Sequence, residues 1–259
     1  MMVKKIFWVG VCVLVLFSGK AFAAEARRIA VGVGNAFEPY AYIDANNQPA
    51  GYDVAVLKAV DERLPQYEFE FESLEFRNLL LSIDAGKLDI ASQQFETNPE
   101  REAKYLFTQE GFANYDKRII VKKGRTDIKS IDDLVGKKVS VGSGSNSAAI
   151  LEKYNAEHDK KIEIVYRSSG QVDYDNVVNG RTDAAIMTRR VFERTNKALG
   201  GGLDIVEDNL FSKSDAYFIL AKKETQLRDD IDAALRELKK DGTLSKLSFE
   251  YTNADYTAE

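Results

Sequence analysis

Arg101 lies in the first turn of a helix that Asn98-Pro99 should open, with Asn98 as cap and Pro99 at the first helical position. A cation there opposes the positive end of the helix dipole. It makes sense if an anion shares the place, because a guanidinium offers a two-pronged fork to a carboxylate; otherwise Arg101 forms a surface ion pair with Glu100 or Glu102. The run Gly142-Ser143-Gly144-Ser145-Asn146-Ser147 is a second candidate anion site. Small residues between a strand and a helix let backbone N–H groups converge, and the helix adds its dipole. The spacing matches neither a Walker A loop nor a dinucleotide fingerprint, and the same run also reads as an ordinary turn. Glu96, between a strand end and a helix start, could accept hydrogen bonds from an ammonium group or be a plain exposed carboxylate. Phe37, Tyr40, Tyr42 and Phe76 stand outside the periodic apolar stripes, where aromatics can wall a pocket; core filling is the alternative, and the preferred one for Tyr42.

Scarcity removes other chemistries. The 259 residues hold one cysteine, one tryptophan and one histidine. Cys12 and Trp8 fall in a stretch that opens with Lys4 and Lys5, runs apolar from Ile6 to Phe17 and ends in Ala21-Phe22-Ala23. This is the layout of a cleavable secretory signal peptide over residues 1–23, and an exported, periplasmic protein is expected. Cleavage would leave no thiol for disulfides, zinc or covalent catalysis. His158 sits in Asn155-Ala156-Glu157-His158-Asp159-Lys160-Lys161, a charged turn, and reads as surface. The chain has 36 Lys and Arg against 41 Asp and Glu; loss of Lys4, Lys5 and Lys20 takes the net charge from −5 to −8. That balance argues against nucleic-acid or anionic-membrane binding. No metal or cofactor is expected.

The elements that must position these residues alternate. Ile29 to Val33 reads as a buried strand. Val54, Leu57, Val60 and Leu64 mark an amphipathic helix. Tyr67, Phe69 and Phe71 alternate with glutamates as a half-buried strand does, and Phe76 to Ala85 returns to helical spacing. Leu88 to Ala91 is the next strand. Lys138 to Gly142, Ile162 to Tyr166 and Asp183 to Met187 are strands, each followed by a helical segment. Leu227, Ile231, Ala234, Leu235 and Leu238 stripe a C-terminal helix ending near Gly242. Such alternation predicts an α/β fold with parallel strands, with a ligand outside the carboxyl ends of the strands. If there are two lobes, extended segments at 112–117 and 211–217 join them.

In order and spacing, Phe37-Glu38-Pro39-Tyr40-Ala41-Tyr42, Gly51-Tyr52-Asp53-Val54, Phe76-Arg77-Asn78-Leu79-Leu80, Gly86-Lys87-Leu88-Asp89-Ile90, Asn98-Pro99-Glu100-Arg101, Tyr105-Leu106-Phe107-Thr108, Asp132-Asp133-Leu134-Val135-Gly136-Lys137-Lys138-Val139, Gly180-Arg181-Thr182-Asp183-Ala184 and Asp241-Gly242-Thr243-Leu244 resemble the polar amino-acid-binding proteins of ABC importers, family 3 of the solute-binding proteins. Thr243 to Ser248 and Asp255-Tyr256-Thr257 look most like the cystine-binding branch.

The resemblance implies a type II periplasmic binding fold, two α/β lobes joined by two hinge strands. Lobe 1 would comprise residues 24–112 and 218–259, and lobe 2 residues 117–211. It implies that Phe37 and Phe76 flank the ligand side chain and that Arg101 grips the α-carboxylate, which backbone N–H groups of Gly144, Ser145 and Asn146 share. Gln94 and Glu96 match positions that receive the α-ammonium. Thr188 stands where many relatives carry an acidic ammonium partner, and Glu96 stands where many carry threonine or serine. The charge would then have moved between lobes, with Glu96 standing in. Arg189 is a candidate anchor for a distal carboxylate, or a solvated helix arginine. The expected function is a non-enzymatic, monomeric binding protein that delivers a polar amino acid, cystine foremost, to an inner-membrane ABC permease. The alternatives are a dehydratase resembling cyclohexadienyl or arogenate dehydratase, with Glu96 as general acid, and a binder of another small carboxylate.

Overall fold

The computed structural model describes residues 25–167 and 170–257; the leader with Cys12 and Trp8 lies outside the described residues. In chain order the first lobe holds β1 (Arg27–Gly34), β2 (Ala36–Phe37), β3 (Ala41–Ile43), β4 (Pro49–Ala50), α1 (Tyr52–Asp61), β5 (Tyr67–Leu74), α2 (Phe76–Asp84), β6 (Ile90–Phe95), α3 (Pro99–Lys104) and β7 (Leu106–Phe107). Strand β8 (Ala113–Lys122) crosses to the second lobe, with β9 (Lys138–Gly142), α4 (Asn146–Glu157), β10 (Glu163–Arg167), α5 (Gly170–Val178), β11 (Ala184–Thr188) and α6 (Arg189–Ala198). Strand β12 (Leu203–Leu220) returns, and α7 (Thr225–Lys240) and α8 (Thr243–Thr252) pack on the first lobe.

Among the described residues the strand order is β10-β9-β11-β8-β12-β6-β1-β5. Pairs β1–β5, β1–β6, β9–β10 and β9–β11 are parallel, as alternation with helices requires. The crossings correct the all-parallel expectation: β8 runs antiparallel to β11, and β12 antiparallel to β6 and β8. A chain that leaves a lobe and returns beside its exit must reverse direction. The two crossings therefore pair with each other, Ala113 opposite Ala216 through Lys117 opposite Ser212. Phe112 and Phe218 stack at 4.1 Å at the root of this ribbon, and the Tyr52 hydroxyl donates to the Phe112 carbonyl at 2.5 Å. The two strands join two lobes, whose buried residues form one cluster that runs through both and a further cluster in each. Ile119, Val121, Val139, Val141, Leu151 and Ile186 cluster in the second, and Leu79, Ile83, Leu88 and Phe95 back one face of the first.

Local sequence explains most boundaries. In β5 the phenylalanines turn inward and the glutamates outward. The α7 stripe is buried as its spacing demands. At Gly242, with φ 78°, the chain turns and continues as α8, a helix beyond the expected end. The strand expected at Leu88 to Ala91 starts two residues later and runs to Phe95, which carries it to the cleft.

Candidate functional site

A cavity of about 640 Å³ opens between the lobes, where β6 and β9 end and β8 crosses. Behind its first wall lies Asp53, in the first turn of α1. Gly51 makes that entry possible: its φ is 112°, and a Cβ there would meet the Tyr40 carbonyl oxygen at 2.3 Å. Asp53 is fully buried and accepts three hydrogen bonds, from Ser92 Oγ at 2.8 Å, from the Gln94 amide N–H at 2.9 Å and from Gln94 Nε2 at 2.7 Å. They hold Gln94 in left-handed backbone, φ 48°, which a side chain rarely adopts. Burial pushes the Asp53 carboxyl up to about 6, and the hydrogen bonds from Gln94 and Ser92 work against that rise. Because Gln94 gives its Nε2 to Asp53, its Oε1 is left as a buried acceptor with no protein partner in the cavity wall.

Two residues on stands Glu96. One carboxylate oxygen is ion-paired with Lys117, which is 6% exposed; Oε1, the other, is buried without a hydrogen-bond partner. Burial lowers the Lys117 ammonium below its ordinary range, and Glu96 opposes that shift. The capped helix appears as its sequence predicts. Asn98 Oδ1 accepts from the Arg101 amide at 2.9 Å, with Pro99 following. Arg101 is no surface residue. It is 7% exposed, lies over the Phe95 ring at 5.3 Å, and donates to the Glu96 carbonyl at 2.9 Å and across the cleft to the Gly144 carbonyl at 2.7 Å.

The second lobe supplies the facing wall. Gly144, at φ 71°, turns the chain so that Ser145 caps α4, its hydroxyl accepting from the Ala148 amide at 3.2 Å. Asn146 Oδ1 lies 3.5 Å from Asn98 Nδ2. Thr188 lines the cavity, but its hydroxyl caps α6 by accepting from the Val191 amide at 3.2 Å. Arg167 enters from the end of β10, held by an ion pair to buried Asp173, to which Ser140 also donates at 2.5 Å. Burial lifts the Asp173 carboxyl to about 6, and Arg167 pulls the other way. Between the lobes Glu38 of the first pairs with Arg194 of the second.

Of the residues proposed from sequence, Phe37, Phe76, Gln94, Glu96, Arg101, Ser145, Asn146 and Thr188 line this one cavity. Gly144 reaches it through the carbonyl that Arg101 holds. Phe76 stacks on Phe95 at 5.2 Å, and Phe37 packs on Tyr40 at 5.1 Å. Arg189 is elsewhere, bonded to Glu207 at 2.9 Å. His158 is exposed, bonded to the Tyr154 carbonyl at 2.8 Å. Sequence reasoning missed Asp53, Lys117 and Arg167. For Lys117 a signal existed: it shares strand parity with Ile119 and Val121, so its side chain belongs to an inward row. Asp53 was hidden because an acidic residue in a first helical turn is already explained by the dipole.

Comparison with known proteins bears on this arrangement. Residues 29–254 match the model for bacterial extracellular solute-binding proteins, family 3. The L-cystine-binding protein TcyK of Bacillus subtilis strain 168 is 37% identical over 236 residues, which is 91% of this chain and 87% of TcyK. TcyJ of the same organism, also an L-cystine-binding protein, is 36% identical over 90% of this chain and 87% of its own. A solved structure described as a putative L-cystine ABC transporter from Listeria monocytogenes is 37% identical and superposes with a TM-score of 0.83, covering 90% of this chain and 99% of that one. With a family model matched from the first strand into the C-terminal tail, and an interlobe cavity where that fold places ligands, the chain belongs to the family 3 bacterial extracellular solute-binding proteins.

Proposed function

We propose that this chain binds cystine, or an amino acid closely related to it, between its lobes and presents the loaded, closed form to an ABC permease in the membrane. One observation carries the amino-acid reading. A buried guanidinium, Arg101, and two buried acceptors that lack protein partners, Gln94 Oε1 and Glu96 Oε1, line the same cavity. Buried polar atoms are rarely left unpaired, and each costs about 1–3 kcal/mol when it is. An α-amino acid corrects this at once: its carboxylate suits the arginine and the loop after β9, and its ammonium suits the two oxygens. The names of the similar proteins support cystine as the ligand.

Lobe boundaries follow the same reading. Residues 24–112 with 218–259 and residues 117–211 move as units about the paired ribbon at 112–117 and 211–217, and ligand shifts the population toward closure. The protein acts as an exported monomer without catalysis. The dehydratase alternative lacks a carrying observation, since the carboxylate it would use, on Glu96, is already engaged by Lys117.

Isothermal titration with L-cystine, alongside a thermal-shift panel of amino acids, tests the proposal. Cystine should bind and raise the melting temperature by mass action. No response to cystine or to any amino acid would sink it, and turnover of prephenate or arogenate would replace it with the enzymatic reading.

A further inference from the structure

We infer that the C-terminal tail is a strap between the lobes: through Tyr256, which bears on Arg190 of the second lobe, it favours the closed arrangement and so sets how tightly and how long a ligand is kept. The inference goes beyond the identity of the ligand, and only its affinity readout rests on the amino-acid-binding reading.

The tail is fastened at three places. Helix α8 ends where Asn253 takes left-handed backbone, φ 57°, and the chain folds back on the helix it has just left. Ser248, fully buried, donates through Oγ to the Ala254 carbonyl at 2.8 Å and accepts from the Tyr256 amide at 2.9 Å. Ser245 Oγ donates to the Asp255 carboxylate at 2.6 Å. These bonds hold the tail to the first lobe. The Tyr256 carbonyl then accepts from the Asn114 amide at 2.5 Å, and Asn114 lies on β8 opposite Asp215 of β12, within the paired crossing. The third fastening is to the second lobe. The guanidinium of Arg190, in the first turn of α6, lies 5.4 Å from the centre of the Tyr256 ring, within the range of a cation–π contact.

The second lobe meets the first along one face of α6. Arg190 and Arg194 are four residues apart and so share that face; Arg194 pairs with Glu38 of the first lobe. Buried Tyr40, also of the first lobe, lies within electrostatic reach of Tyr256, Thr188 and Arg190. Tyr256 packs against the buried cluster that runs through both lobes, with Tyr40 and Tyr52 from the first and Met187, Val191 and Phe192 from the second. Thr188 and Val191, at the start of the same helix, line the cavity, whereas Arg190 and Tyr256 do not. Tail contacts and cleft contacts coexist, since in this arrangement Arg101 donates across the cleft to the Gly144 carbonyl at 2.7 Å. A rotation that parts the lobes moves α6 away from a tail tied to the first lobe and the crossing. A contact made in the closed arrangement raises the closed fraction, and apparent affinity follows that fraction. The competing explanation is that the tail only ties off α8.

Tyr256→Leu and Arg190→Met, singly and together, separate these explanations when titrated calorimetrically with L-cystine, with release followed by stopped-flow. Both substitutions keep apolar bulk and leave the Ser248 and Asn114 bonds to the tail in place; circular dichroism checks folding. Each single variant should bind about three- to tenfold more weakly than the wild type, the scale of one partly buried cation–π contact, mostly through faster release. The double variant should be no weaker than the poorer single, because the two groups act as one contact. Tyr256→Phe, which keeps the ring face, should bind within about twofold of the wild type. Unchanged affinity in the single variants, or losses that add in the double, overturns the inference. If the wild type binds no amino acid, the ligand reading falls, and small-angle X-ray scattering of the ligand-free proteins decides this one. Tyr256→Leu and Arg190→Met should then show a larger radius of gyration than the wild type, and equal radii overturn the strap.

Discussion

Asp53→Asn should leave the protein about as stable as the wild type while weakening amino-acid binding, and the structure says why. At pH 7.5 the buried Asp53 carboxylate is held against its preference. Its carboxyl titrates near 6 in the fold against 3.8 for the free group, a cost on the order of 3 kcal/mol in the charged form. Asparagine removes that cost. It also replaces one acceptor oxygen with an N–H₂ donor, and two placements compete. If the donor faces the Gln94 amide N–H, a buried backbone donor is orphaned at about 1–3 kcal/mol. If it faces Gln94 Nε2, the glutamine amide need only flip to offer its oxygen. The flip wins, because Gln94 Oε1 has no partner to lose. Its consequence falls on the ligand. Gln94 then turns its N–H₂ toward the cavity, donor against ammonium, and the loss of a hydrogen bond to a charged group costs about 1.5–3 kcal/mol, or roughly 10- to 150-fold in Kd. Titration calorimetry with L-cystine, paired with urea unfolding at the same pH, reads both halves. Affinity within about twofold of wild type in a variant of unchanged stability would refute the assignment of Gln94 Oε1 as an ammonium acceptor.

Glu96→Ala should abolish detectable binding and also destabilise the fold by about 3–5 kcal/mol, because it leaves the buried Lys117 without its carboxylate; denaturant unfolding of the variant with and without Lys117→Met checks this, and the second substitution should recover part of the loss. Acidification from pH 7.5 to 5 should stabilise the wild type. Asp53 and Asp173 both titrate near 6, above their unfolded values, so the native state binds more protons and stability falls as pH rises through 6. Each contributes roughly 1.4 kcal/mol between pH 7.5 and 5, while Asp127 and Asp241, held near 2, act only below pH 4. Urea unfolding across that range measures the slope, which should shrink in Asp173→Asn. Glu38→Ala breaks the pair with Arg194 that links the lobes; both side chains are about half exposed, so the loss should stay under about 1 kcal/mol and appear as faster ligand release in stopped-flow, diminishing at high salt.

What the sequence revealed of the site, and what it concealed, divides along one physical line. The Asn98 cap, the Ser145 turn and the inward phenylalanines of β5 depend on neighbours within a few residues, so composition and periodicity were enough to place them. The side chains that set the cleft's charge depend on partners far along the chain. Glu96 meets Lys117 twenty-one residues on, and Asp53 meets Gln94 forty-one residues on. Only the packing of β6 against β1 and of β8 against β12 brings them together. This changes the argument about charge itself. From sequence, Glu96 looked like the carboxylate displaced from the position of Thr188, available in full to a ligand ammonium. In the fold one of its oxygens belongs to Lys117 and the other faces the cavity, so what it offers an ammonium is half an ion pair.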